Sequence, residues 1–265
     1  MFSFQKKVVI VTGASSGIGL ASVRLFAKNG AYVVLAARSE ETIRKEAEEL
    51  SKITKTLAVV TDVSKEEDCK NLINKTIEKF GCIDVLVNDA GISMRAKFEN
   101  LDLSVLHKSM DVNFWGTVYC TKFALPYLLK SKGSVVGVTS VAGFKGLPGR
   151  TGYSSSKFAI IGFLDCLRGE TINQGLHVMV FAPGYTASNV RFNALLADGT
   201  PQGSSPRDES KMMTADRVAE KLLKGIKNRT RQMILTSEGR IAVLLNRIFP
   251  RWLDYIVVRF INKEK

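Results

Sequence analysis

Residues 9–21 read "VIVTGASSGIGLA". A β-branched run stops at Thr12. Gly13, Gly17 and Gly19 follow with G-x-x-x-G-x-G spacing, and "IGLASVRLFAKNG" then carries a helical pattern. A strand that turns through glycines into a helix brings bare backbone close to a ligand. It also aims the free N–H groups of the helix N-terminus at that ligand, an arrangement suited to a pyrophosphate. A glycine triplet alone is a weak signal, and the strand-turn-helix context is what gives it weight. The competing reading is a plain βα turn. Ser15, Ser16 and Ile18 lie within the turn and complete its candidate ligand-binding set.

Outward from this turn the same alternation repeats. "AYVVLAA", "TLAVVTDV", "IDVLVNDAG", "SVVGVTS", "HVMVFAPG" and "RQMILT" are short β-rich runs, and helical patterns separate most of them. Continuous Val/Ile/Leu runs are the mark of strands buried on both faces, and parallel strands need helical crossovers. The expectation is an α/β fold: a doubly wound, seven-stranded parallel sheet with helices on both faces. Gly30 and Gly81 fall where helix C-terminal caps belong. No linker interrupts residues 1–265, so one domain is expected.

Composition narrows the function. The four cysteines form no C-x-x-C pair and there are two histidines, so neither a metal site nor a disulfide framework is expected. A reducing, cytoplasmic setting follows, and the short apolar run at the N-terminus reads poorly as a signal peptide. The formal net charge of +13 suits nucleic acid, an anionic membrane or an acidic ligand. From Arg217 onward there are twelve Lys/Arg against four Asp/Glu. That stretch is also rich in large apolar residues, unlike a nucleic-acid arm, and no nucleic-acid recognition motif is present.

The strand ends carry candidate ligand contacts. Arg38 follows Ala36 and Ala37 at the end of the second strand, where an acid would bond a ribose 2′-hydroxyl. A guanidinium there suits a 2′-phosphate instead, with Ser15 as a second donor, so NADP(H) is the expected cofactor. The alternative for Arg38 is an exposed capping residue. Asp62 is placed to accept from an adenine amino group and Val63 to present its backbone. Capping of the next helix is the alternative for Asp62, but Ser64 is expected to take that task.

"TGYSSSKFAI", residues 151–160, sets Tyr153 one helical turn from Lys157 with three small serines between. A phenol has a pKa of about 10. A neighbouring ammonium and an oxidised nicotinamide would favour the phenolate and make Tyr153 a proton carrier. Small serines let the backbone lie close to a cofactor or a neighbouring helix. Ser140 closes the fifth strand, where ligands sit in open α/β sheets, and its hydroxyl would hold the substrate oxygen.

"TGASSGIG", "NDAG" at 88–91, Asn113, Ser140, "YSSSK" and "PG" at 183–184 occur in an order that resembles the short-chain dehydrogenase/reductase superfamily over nearly the whole chain. The resemblance implies a Rossmann fold and carbonyl–alcohol interconversion by hydride transfer. It implies that Lys157 bonds the nicotinamide ribose and that Asn113 binds a water passing protons to Lys157. A helix-kink residue satisfying backbone groups is the alternative for Asn113. Asn88, Ala90 and Gly91 would lie beside the adenosine. After Pro183 and Gly184, either Thr186 or Ser188 would bind the carboxamide. Asp89 departs from the family's N-N-A-G pattern, and no catalytic role is assigned to it. A homodimer or homotetramer is implied as well. The non-catalytic alternative is a dinucleotide sensor or scaffold on the same fold.

Residues 185–213 read as a lid with apolar Tyr185, Val190, Phe192, Leu195 and Leu196, and Met94 and Phe144 are further candidates to line the cleft. A small hydrophobic carbonyl or alcohol is the expected substrate. Residues 238–265 form an amphipathic extension split by Pro250. Trp252, Tyr255 and interspersed arginines suit an interfacial helix peripheral to a membrane, and an arm packed on the core or on a partner subunit is the alternative. The tail and lid resemble the branch containing eleven-beta-hydroxysteroid dehydrogenase.

Overall fold

Strand β1 (Val8–Thr12) is buried at every position, because it has a neighbour on each side and helices above and below. The computed structural model describes residues 3–186, 190–204 and 212–262. Around β1 lie β2 (Tyr32–Ala37), β3 (Thr56–Val60), β4 (Val85–Asn88), β5 (Ser134–Val138), β6 (His177–Ala182) and β7 (Gln232–Ile234). All pairings are parallel and the order is β3-β2-β1-β4-β5-β6-β7, the expected seven-stranded sheet. The order reverses between β1 and β4, which opens a crevice at the C-terminal strand ends.

Strand periodicity sorts the core into two layers. Val9, Val11, Val33 and Leu35 face one side, against Val23 and Phe26 of α1 (Gly17–Lys28), Ile43 of α2 (Glu40–Ser51) and Leu222 of α7 (Ala215–Lys227). Val8, Ile10, Val34 and Leu86 face the other. There they meet Leu72 of α3 (Glu66–Phe80), Leu128 of α5 (Gly116–Lys130) and Leu164 of α6 (Thr151–Thr171). The central strands are therefore apolar on both faces, as parallel sheets require, and the edge strands β3 and β7 are partly exposed. Gly30 and Gly81 stand just past α1 and α3 with φ of +80° and +74°, the left-handed geometry that ends a helix.

Helix α4 (Leu103–Ser109) continues through a π-helical stretch, Met110–Trp115, into α5. It crosses α6 closely at Gly152, where an added Cβ would come 3.2 Å from the Leu106 Cα. The tail forms α8 (Ser237–Ile248) and α9 (Pro250–Asn262), broken at Pro250 as its fixed geometry dictates. No helix among the described residues is long and apolar enough to cross a membrane.

Asp84, just before β4, ties the sheet's N-terminal edge together. Its carboxylate accepts from the Val8 N–H at 2.9 Å and the Lys7 ammonium at 2.9 Å, while its own main chain bridges Val8 and Ser134. Asp84 is buried, so its loss leaves the Val8 N–H without that acceptor. Asp84→Ala is expected to lower unfolding free energy by about 1–3 kcal/mol in urea titrations. Asp84→Asn, which keeps an acceptor oxygen, should cost less.

Candidate functional site

The site is built where the glycine turn meets the end of β4. Gly13 has φ of +70°, and a Cβ on it would lie 2.9 Å from both the N and Cα of Ala90. A Cβ on Gly19 would lie 2.4 Å from the Gly13 carbonyl oxygen. No side chain fits at either position, so the turn and the Ala90 strand end touch through backbone alone. Thr12 fixes this contact: its Oγ1 accepts from the N–H groups of Asp89 and Ala90, each at 3.1 Å. Sequence reading passed over Thr12 as the last residue of a strand. Its place one residue before the glycine turn is the signal that could have found it.

The N-terminus of α1 is left open. Ser16 occupies the N-cap position, its side chain makes no capping hydrogen bond, and the first turn of α1 holds no acid. Gly17 has φ of +54°. Gly13, Ser15, Ser16, Gly17, Ile18 and Gly19 are thus gathered at one helix start at the mouth of the crevice. This is a cradle suited to an anionic phosphate.

Across the crevice, α6 carries Tyr153 and Lys157 on one face. The Ser140 hydroxyl hydrogen-bonds the Tyr153 phenol and accepts from the Ala142 N–H at 3.2 Å. Lys157 is buried, and its Nζ donates to the Val138 carbonyl at 2.9 Å and stands 5.9 Å from the Tyr153 ring centre. Gly91 faces them: a Cβ there would come 3.1 Å from Asn113 Oδ1 and 3.3 Å from Lys157 Nζ. The bare glycine leaves room beside the lysine.

Burial sets the protonation states. It raises the Tyr153 phenol above its ordinary value, with the Ser140 hydrogen bond opposing. It lowers Lys157 to about 8, with the Asp89 charge opposing. The expected depression of the phenol is therefore not a property of these side chains by themselves. Desolvation outweighs the hydrogen bond from Ser140.

Asn113 sits in the π-helical stretch with both amide protons and its oxygen hydrogen-bonded. Its Oδ1 accepts from the Ile92 N–H at 2.8 Å, while Nδ2 donates to the Ile92 carbonyl at 3.0 Å and to Ser156 Oγ at 2.8 Å. Both amide protons are thus used within the chain, as the helix-kink alternative asks, and Oδ1 keeps a second lone pair with which to accept from a water. Ser156 in turn donates to the Tyr153 carbonyl at 2.8 Å, so a chain of bonds runs from Ile92 through Asn113 to α6. Of the three serines, Ser154 and Ser156 are buried in helix packing and Ser155 is exposed. Arg150, also missed from sequence, donates to Ser93 at 2.7 Å and lies near Tyr153.

Three expectations need correction. Asp62 is not left free by Ser64: Asp62 Oδ1 accepts from the Ser64 N–H at 3.1 Å and from its hydroxyl at 2.8 Å. An Asx turn thus uses the acid to start the segment before α3, and Ser64 is its donor. Met94 and Leu195 do not line an open cleft. They are buried with Leu101 and Val105 in a small core of their own, and residues 94 and 195 are bridged strand-fashion. This core ties residues 190–204 to the segment after β4 and packs against Tyr153.

The remaining candidates lie at the strand ends. Arg38 is exposed one residue past β2. Val63 is buried against Gly116, where a Cβ would come 2.7 Å from its side chain. Asn88 is buried and donates to Thr121 Oγ1 at 3.1 Å. Pro183 and Gly184 follow β6 directly. Thr186 is buried and donates to the Gly184 carbonyl at 3.2 Å, and Ser188 lies outside the described residues. Among the described residues no cluster of His, Cys, Asp or Glu could hold a metal.

Asp89 is the unexpected member. Half-buried, it accepts from the Gly19 N–H and faces Lys157 and Tyr153. Burial lifts its carboxyl to about 7, and the Lys157 charge and the Gly19 hydrogen bond oppose that rise. The folded chain then holds this proton more tightly than the unfolded chain. Stability contributed here is lost as pH rises from the usual carboxylate range to about 7, at a slope of up to about 1.4 kcal/mol per pH unit. Asp89→Asn is expected to match the parent's melting temperature near pH 4 and to exceed it at pH 8. Thermal melts of cofactor-free protein across that range test this.

The chain matches the family model described as short chain dehydrogenase over residues 7–196. It is 33% identical over 270 residues to a "Dehydrogenase/reductase SDR family protein 7-like" from Dictyostelium discoideum, covering 99% of this chain and 84% of that one. It is 39% identical over 217 residues to "11-beta-hydroxysteroid dehydrogenase-like 4A" of Arabidopsis thaliana, covering 81% of this chain and 70% of the other. Among solved structures, an alcohol dehydrogenase from Thermococcus sibiricus complexed with 5-hydroxy-NADP superposes with a TM-score of 0.75 at 29% identity, covering 86% of this chain and 95% of that one. Sequence, sheet order and site geometry agree that this chain belongs to the short-chain dehydrogenase family of oxidoreductases.

Proposed function

We propose that this chain is an NADP(H)-dependent oxidoreductase that interconverts a carbonyl and a secondary alcohol on a hydrophobic small molecule. The observation that carries the reading is the Tyr153 phenol, hydrogen-bonded to Ser140 on one face of α6 with buried Lys157, opposite the bare Gly91. The residues fit a dinucleotide. The α1 N-terminus and its glycines would hold the pyrophosphate, Arg38 and Ser15 a 2′-phosphate, and Lys157 the nicotinamide ribose. The relative from Thermococcus sibiricus, solved with 5-hydroxy-NADP, supports the cofactor class.

A bound nicotinamide supplies or takes up the hydride at the substrate carbon. Ser140 donates to the carbonyl oxygen and so polarises it. The Tyr153 phenol gives its proton to that oxygen as the carbonyl becomes an alkoxide, leaving a phenolate. The Lys157 ammonium stabilises that phenolate, and a proton from solvent restores the phenol. Burial keeps Tyr153 protonated at neutral pH, which suits the reductive direction. Alcohol oxidation runs the same transfers in reverse, with Tyr153 accepting the proton.

Titration with NADPH and NADH, followed by a panel of hydrophobic ketones, tests the proposal. Tight NADPH binding with turnover is expected. Tyr153→Phe should bind NADPH as the parent does and lose about 10²–10⁴-fold in kcat, the range for a lost general acid. Arg38→Ala should weaken NADPH by roughly 10–100-fold, as loss of a charge-assisted bond would, and leave NADH nearly unchanged. Equal loss for both cofactors would overturn the role given to Arg38.

A further inference from the structure

Helices α8 and α9 dock on the core along one side only. Gly239 lets α8 approach Val141, since a Cβ there would lie 2.7 Å from the valine side chain. Val243 is buried, and Asn246 donates to the Phe144 carbonyl at 3.0 Å. On α9, Leu253 is buried and Asp254 pairs with Lys145. These contacts fall on residues 141–145, immediately after Ser140. The packed-arm alternative therefore accounts for the inner side of the tail.

The outer side is unlike the rest of the surface. Ile241, Leu244 and Ile248, spaced to share one face of α8, are 56–57% exposed. Phe249, just before Pro250, and Trp252, Ile256 and Phe260 of α9 repeat at helical spacing, all exposed to 41% or more, and Tyr255 is exposed beside them. Arg247, Arg251 and Arg259 are exposed among these residues. Of the acids in the two helices, Asp254 is held by Lys145, which leaves Glu238 at the start of α8.

We propose that the outer face of α8 and α9 docks on an anionic lipid surface, with both helices lying in the plane of the interface. Helices of 12 and 13 residues are too short to span a bilayer. Apolar stripes of this width bury into the acyl boundary, while Trp and Tyr rings and arginines suit the headgroup layer. Charge complementarity decides between occupants. The exposed Arg247, Arg251 and Arg259 match anionic headgroups, whereas a second copy of the same face would set arginines against arginines. Because the tail rests on the segment after Ser140, docking brings the Ser140 end of the cleft near the lipid. This last point rests on the function proposed above, since it would deliver a membrane-dissolved hydrophobic substrate to that site.

The test is flotation of the full chain with vesicles of phosphatidylcholine alone or of phosphatidylcholine and phosphatidylserine at about 7:3. Binding at least about tenfold tighter to the anionic vesicles, weakened by salt, is expected. Trp252→Glu with Ile256→Glu should remove binding, and Arg247→Glu with Arg251→Glu should remove the preference for anionic lipid. Thermal melts should show both variants folded. Absence of vesicle binding by the parent, or binding unchanged in both variants, would overturn the proposal. So would a parent that binds no vesicles and an oligomer that the Trp252 variant converts to monomer, which would make this face a subunit interface. None of these readouts depends on turnover, so failure of the proposed chemistry and failure of docking remain distinguishable.

Discussion

The site depends on a backbone contact with no room for side chains. A Cβ on Gly13 would collide with the backbone of Ala90, and one on Gly19 with the carbonyl of Gly13. Thr12 bolts the two segments together through paired N–H bonds to one hydroxyl. Any side chain at either glycine, even a methyl group, would push the turn out of place against β4. The start of α1 would then no longer face the crevice at the sheet's switch point. Everything further along the site is referenced to this contact: Asp89 lies on its far side, and Gly91 sets the gap to Lys157.

From that contact the chemistry follows through packing. Gly152 lets α4 and α6 cross closely, and Asn113, Ser156 and Ile92 join the π-helical stretch to the start of α6. Tyr153 and Lys157 are thereby held on a rigid helix, which is the precision a proton transfer needs. Burial works against charge at the phenol, the lysine and Asp89 together. The polypeptide keeps the phenol protonated, and ionisation awaits a positive charge brought in beside it.

Much of this was legible in the sequence. Val/Ile runs buried on both sides announced parallel strands, and all seven formed with the parallel pairing expected. The glycine turn and the Tyr153–Lys157 spacing were readable because each is local. What failed was what depends on direction rather than residue type. Ser64 was expected to spare Asp62 but instead bonds it, because an Asx turn and a ligand contact ask for the same side chain. Met94 and Leu195 were read as cleft lining because apolar character does not say which cavity a residue fills. Thr12 and Ser156 went unnoticed because their partners are distant in sequence. The tail's break at Pro250 was legible, while its seat on residues 141–145 required the fold.

The most direct test needs no substrate. The ultraviolet difference spectrum between the parent and Tyr153→Phe, followed against pH, reports ionisation of this one phenol. Without cofactor the phenolate should appear above the ordinary tyrosine range, because burial outweighs the opposing Ser140 hydrogen bond. Saturating NADP⁺ should bring the transition down toward neutrality. A transition that NADP⁺ leaves unmoved would contradict the assignment of Tyr153 as the proton carrier beside a bound nicotinamide.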